Sequence, residues 1–130
     1  MIGLDTNVVV RYVTRDDPAQ TATAAKAMDS LSADSPGFLS LIVIVELVWV
    51  LETAYHFKKS QIEQVLEILL RSKELVIERA EIVAQALRKF SAGRADFADC
   101  LIERAGHAAE CQYTVTFDRN AVAAGMRLLG

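Results

Sequence analysis

Four carboxylates stand where the surrounding sequence is apolar. Asp5 closes the opening run 1–4, and Glu46 is the only charged residue between Phe38 and Leu51. Asp99 lies inside the run 97–102, and Asp118 closes the run 113–117. Asp and Glu are almost never fully buried unless something compensates them. No Lys or Arg is placed in sequence as an obvious partner for each, so a shared cation is the economical compensation. Two carboxylates 4 Å apart repel by roughly 4 kcal/mol at an effective dielectric near 20, and a cluster of them needs a cation or a proton. An oxygen-only donor set suits Mg²⁺ or Mn²⁺ and not zinc. Such ions activate water for attack on phosphodiesters.

Each acid also has a plainer reading. Asp5 can cap the next helix, Asp118 can cap a turn, and Asp96 with Asp99 fits a helix N-terminus. Glu46 can meet a distant Arg or carry a proton. Glu103 and His107 continue the 96–99 spacing as an ordinary solvated face. His56 and His107 lack metal-ligand spacing, and Trp49 reads as core. No Gly-rich phosphate loop and no nucleophile elbow occurs.

The elements that must position these groups alternate from end to end. Residues 1–4 read as a short buried strand. Val8-Val9-Val10 favours strand by propensity, although a helix opening near Asn7 competes. Asp17-Pro18 with Gln20 marks a helix start, 38–41 a second strand, and 42–55 a buried helix carrying Glu46. Ser60 with Glu63 suggests a capping box, 75–77 a third strand, and 83–90 a helical face ended by Gly93. A helix follows from Asp96 to about 109, then a strand over 113–117, a short helix over 120–124, and a last strand over 127–129. This alternation predicts an α/β fold with a parallel sheet covered by helices. Ligands in such sheets bind beyond the carboxyl ends of the strands, where Asp5 and Asp118 fall.

The chain has 130 residues, 52% hydrophobic and 24% charged, which predicts one globular domain over 1–130. The longest apolar stretch, 38–51, is too short to span a membrane and carries Glu46, so no membrane role is expected. No secretory signal is read at the amino terminus, which predicts a cytoplasmic protein. Cys100 and Cys111 read as buried free thiols. A net charge of −3 does not by itself advertise a nucleic-acid binder. Arg11, Arg15, Lys58, Lys59, Arg94 and Arg119 are the candidate phosphate contacts.

Asp5-Thr6-Asn7, Glu46 in an apolar helix, the segment 95–102 with Asp96 and Asp99, and Thr116-Phe117-Asp118 together resemble the PIN domain. The likeness covers essentially the whole chain, in order. Its length resembles the VapC-type toxins of type II toxin–antitoxin pairs. The resemblance implies a three-layer α/β/α fold with a central parallel sheet of four or five strands. It implies a metal-dependent endoribonuclease, a toxin neutralised by a cognate antitoxin, with an RNA substrate such as a tRNA, and a homodimer. By position, Asp5, Glu46 and Asp99 match the core acids, and Asp118 matches a fourth acid that the family sometimes replaces. Asp96 matches the first acid of Asp-x-x-Asp, as ligand, neighbour of a ligand, or cap. Thr6, Asn7 and Thr116 match polar neighbours of these acids and, with Arg11 and Arg119, are the candidate substrate contacts.

Asp5 and Asp99 are expected to bind Mg²⁺ or Mn²⁺ directly, with Glu46 and Asp118 orienting waters. Val8-Val9-Val10 and the segment 47–57 offer apolar surface for an antitoxin helix, or else for core or homodimer contacts. The alternatives are a non-catalytic PIN-like RNA-binding or interaction module, or another Mg-dependent phosphohydrolase. Against the latter, the acids of a receiver domain or a haloacid-dehalogenase-type phosphatase are not at their expected spacings.

Overall fold

The computed structural model describes residues 1–130 as two compact units, Met1–Glu78 and Arg79–Gly130. The first contains β1 (Ile2–Gly3), α1 (Thr6–Thr14), α2 (Pro18–Asp29), β2 (Gly37–Leu39), α3 (Leu41–Thr53), α4 (Lys59–Arg71) and β3 (Leu75–Ile77). The second contains α5 (Ala80–Ala92), α6 (Phe97–Ala108), β4 (Val115–Thr116), a 3-10 helix (Arg119–Ala124) and β5 (Arg127–Leu128).

All five strands pair in parallel, as the alternating sequence requires. In the first unit β2 is central, with Gly3 opposite Phe38 on one side and Phe38 opposite Val76 on the other. In the second, Val115 faces Arg127 and Thr116 faces Leu128. The strands are hydrogen-bonded as a sheet of three and a sheet of two. β1 is less buried than its apolar sequence suggests. It lies at a sheet edge, Ile2 is exposed, and only Leu4 beyond its end turns inside. A Cβ at Gly37 in the central strand would meet Leu4 Cδ1 at 2.8 Å and Leu31 Cδ1 at 2.9 Å, so both leucine side chains would have to shift.

The three valines of α1 resolve as helix. Val9 and Val10 are buried, and α1 packs against α2 and α3. Burial of one apolar face therefore outweighs the modest helix penalty of β-branched residues. α2 opens as its sequence announces: Asp17 accepts from the Gln20 N–H at 3.0 Å, with Pro18 in the first turn. α3 is doubly capped. Ser40 Oγ accepts from the Val43 N–H at 3.2 Å, and Glu78 Oε1 from the Leu41 N–H at 2.8 Å. The capping box expected at Ser60 is displaced by two residues. α4 starts at Lys59, and Gln61 Oε1 accepts from the Lys58 N–H at 2.7 Å.

Leu39, Ile44, Leu47, Leu51, Ile62 and Leu66 fill the first unit's core. In the second unit Phe90 meets Phe97 edge to face at 6.1 Å, beside buried Val83, Ala86 and Cys100. Cys100 is fully buried and its thiol is pushed up in pKa, chiefly by burial. Cys111 corrects the sequence reading, since it is exposed. It follows the last turn of α6, past the apolar face that would have covered it. No helix is long and apolar enough to cross a membrane.

Candidate metal centre

In the first unit, Asp5 ends the segment after β1 and caps α1, its Oδ1 accepting from the Thr6 N–H at 2.8 Å. The Thr6 hydroxyl donates to Glu46 Oε1 at 2.7 Å. Thr6 is buried and its two acidic partners are exposed. One residue thus holds two acids that lie 41 positions apart in sequence, at 5 and 46. This corrects the expectation that Glu46 is buried. α3 turns Val43, Ile44, Leu47, Val48 and Leu51 inward and leaves Ile42, Glu46, Trp49 and Thr53 on its solvent side. Trp49, read as core, is 64% exposed. Each of the other four candidate acids is also outside the buried core. An apolar local sequence therefore reported the inner face of each element, while the acid took its outer edge.

In the second unit, buried Ala95 and Phe97 anchor the entry to α6. Asp96 caps the helix, its Oδ1 accepting from the Asp99 N–H at 2.8 Å. Asp118 caps the 3-10 helix by accepting from the Asn120 N–H at 2.8 Å. Thr116 Oγ1 accepts from the Asp118 N–H at 3.0 Å, so its hydroxyl shapes the turn that carries the acid. The Asp99 carboxyl is raised above the ordinary carboxylate pKa. Partial burial is the largest cause, followed by the negative charges of Asp96 and Asp118.

Asp5, Glu46, Asp96, Asp99 and Asp118 share one property: none is in an ion pair. The salt bridges all involve other acids, namely Asp16, Glu67, Glu81 and Glu103. Neither unit on its own brings three metal-ligating side chains to metal-holding distance. The donors are carboxylates throughout, and the mutual repulsion felt by Asp99 is what a divalent cation relieves. The donor set therefore fits a hard cation.

The other sequence candidates divide. Arg11 is already engaged. Its Nε donates to Gln20 at 2.6 Å, and its NH1 to Asp16 at 3.1 Å and the Tyr55 hydroxyl at 3.0 Å. Tyr55 in turn donates to Asp16 at 2.6 Å, closing a network that ties α1 to the segment after α3. Arg15 lies over the Tyr12 ring at 5.4 Å. Asn7, Arg94 and Arg119 are exposed. Most of the surplus apolar surface read at 8–10 and 47–57 is core, since Val9, Val10, Leu47, Val48 and Leu51 are buried.

Sequence reasoning missed the cluster around Glu103, which it read as a solvated surface residue. Glu103 accepts from Lys89 Nζ at 2.6 Å and Arg104 Nε at 2.7 Å, and its pKa falls to about 2, chiefly through the Arg104 hydrogen bond. Lys89 also donates to the Ala124 carbonyl at 2.5 Å, tying the end of the 3-10 helix to α5 and α6. Gly125 follows at φ 101°, and a Cβ there would come within 2.9 Å of Lys89 Nζ. The Glu103-Arg104 adjacency was visible in sequence. The Lys89 contact, 14 residues away, was not.

Parallel strands, helical crossovers and carboxylates that cap α1 in the first unit and α6 and the 3-10 helix in the second define an α/β protein with acids at its helix starts. The chain belongs to the PIN domain family, whose model matches residues 2–125, and its fold is of that family's α/β/α class. It is 27% identical over 99 residues to a VapC ribonuclease of Aquifex aeolicus (strain VF5), covering 75% of this chain and 73% of that protein. Among solved structures it is similar to the VapC20 toxin of Mycobacterium tuberculosis, described as cleaving the Sarcin-Ricin loop. That likeness has 19% identity, a TM-score of 0.49, and coverage of 99% of this chain and 98% of that one.

Proposed function

We propose that this chain is a metal-dependent endoribonuclease that hydrolyses RNA phosphodiester bonds, a toxin neutralised by a cognate antitoxin protein. The observation that carries this reading is the PIN-family match over residues 2–125, in a chain that places acids at 5, 46, 96, 99 and 118. The name of the Aquifex aeolicus relative, a VapC ribonuclease, supports the same activity.

On this reading residues 1–130 act as one PIN domain, and Asp5 and Asp99 hold Mg²⁺ or Mn²⁺, joined by Glu46, Asp118 and Asp96. A bound divalent cation supplies activation of water and stabilisation of the leaving oxygen. Glu46 Oε1 takes the Thr6 hydroxyl, which leaves Oε2 to accept a proton from water. Asp96 and Asp118 each use Oδ1 as a helix cap, which leaves Oδ2 as the oxygen to serve the ion. Arg119 and Arg94, exposed and outside every ion pair, are the phosphate contacts this reading favours.

The substrate is a structured RNA such as a tRNA, met in the cytoplasm, because specific RNA reading favours loops. A groove of about 410 Å³ in the first unit, lined by Tyr12, Phe57, Val65 and Ile68, supports a seat for an antitoxin segment. A homodimer is the assembly proposed.

Incubation with total RNA in Mg²⁺, Mn²⁺ or EDTA, beside Asp5→Asn, tests the proposal. Discrete ends that vanish with EDTA and in the variant are expected. RNA left intact by the wild-type protein in both metals would refute it.

A further inference from the structure

Glu46 stands on the exposed face of α3 and must be held still to act. A glutamate there has three free torsions and is ordinarily mobile. We propose that Thr6 is a positioning residue that tethers Glu46 and Asp5 to one buried point. This proposal rests on the nuclease reading for its functional half only.

The geometry is specific. Thr6 is 7% exposed, yet its hydroxyl is spent on the carboxylate of an exposed residue on another helix, at 2.7 Å. Three other threonines in the helices behave differently. Thr14, Thr23 and Thr53 each donate back to the carbonyl four residues earlier, at 2.8, 3.1 and 2.7 Å. Thr6 is the first residue of α1, so no helical carbonyl lies a turn behind it. Its N–H meets Asp5 Oδ1 while its hydroxyl meets Glu46 Oε1. The two acids are therefore fixed relative to each other through a single side chain and its own backbone. Double-capped α3 holds the Glu46 end of the tether. The sequence suggested a substrate contact for Thr6, but its burial and its engaged hydroxyl assign it to support of the acids.

Residues that orient metal-binding carboxylates typically change affinity or activity about 10–100-fold when lost. Thr6→Val removes the hydroxyl and keeps the shape, Thr6→Ser keeps the hydroxyl, and Thr6→Ala is a second hydroxyl-free variant should valine impair folding. In the metal-free protein, ¹³C relaxation of the Glu46 methylenes should show a restrained side chain in wild type and Thr6→Ser and a mobile one in Thr6→Val. Calorimetric Mn²⁺ affinity should fall about 10–100-fold in Thr6→Val, with kcat on RNA falling and KM unchanged. Thr6→Ser should restore both to within about threefold of wild type.

Equal Glu46 mobility in wild type and Thr6→Val overturns the tether, whatever the activity. A loosened Glu46 with unchanged Mn²⁺ affinity and kcat overturns the positioning role. So does a Thr6→Ser protein as impaired as Thr6→Val. A wild-type chain that neither binds Mn²⁺ nor cuts RNA overturns the nuclease reading and the functional half, and the relaxation data still decide the tether.

Discussion

Asp99 and Glu103 sit one turn apart on α6 and have opposite surroundings. Glu103 meets Lys89 and Arg104 and is held at a pKa of about 2. Asp99 meets no cation, and burial together with Asp96 and Asp118 pushes its pKa upward. The middle of the helix is where charge is satisfied and the unit is fastened. Its first turn is where charge is left unsatisfied, at a cost to the free protein. On the proposed nuclease reading, this division between a fastened region and an uncompensated one is what a cation-binding site requires.

The widest contrast comes from removing each charge in turn. Asp99→Asn should lower RNA cleavage by at least about 10²-fold, a loss typical of removing a group that acts on the proton or the ion, measured as kcat/KM. Glu103→Gln should leave the cleavage per folded molecule near wild type. An Asp99→Asn protein that cuts RNA normally erases the contrast.

Stability should move the other way. Glu103→Gln loses a charge-assisted pair and should destabilise by about 2 kcal/mol, read as a drop in denaturant midpoint with unchanged slope. Lys89→Met should do the same and also free the Ala124 carbonyl. An unchanged midpoint in both would show that the cluster is ornamental.

The pH dependence sharpens the comparison. Glu103 has its folded pKa lowered from 4.5 to about 2, so it contributes stability above pH 4.5 that is lost as pH falls through that window. Acid unfolding of wild type should show this loss, and Glu103→Gln should lack it. Asp99 has the opposite sign. Its folded pKa is raised, so its stabilising contribution is present at low pH and is lost as pH rises through the raised value.

The smallest effect follows from the same sign. In EDTA near neutral pH, Asp99→Asn should stabilise the protein by about half a kcal/mol, since a repelling charge has gone. The gain should vanish below the ordinary aspartate range. A midpoint that falls instead would show that the Asp99 charge is compensated after all.

Much of this was legible in sequence because it is local. The caps at Asp17 and Asp96 and the stop near Gly93 need only neighbouring residues, and the helices begin and end there within a residue or two. Strand extents came out longer than the two- or three-residue ladders, because apolar runs continue past the last paired residue. The acids were found for the right residue types but with the wrong burial. Sequence shows what flanks Glu46, and only the helix phase shows that Ile42, Glu46 and Trp49 share the outer side. The Thr6–Glu46 bond and the Arg11–Asp16–Tyr55 network join residues some 40 positions apart, which no local pattern reports.

The two cysteines have a practical consequence. Cys111 is open to solvent, while Cys100 is fully enclosed and less prone to ionise. A maleimide dye should thus attach once per native chain without mutagenesis, at the far end of the helix that begins beside Asp96. Uptake of a second dye would act as a clock for the opening of that helix.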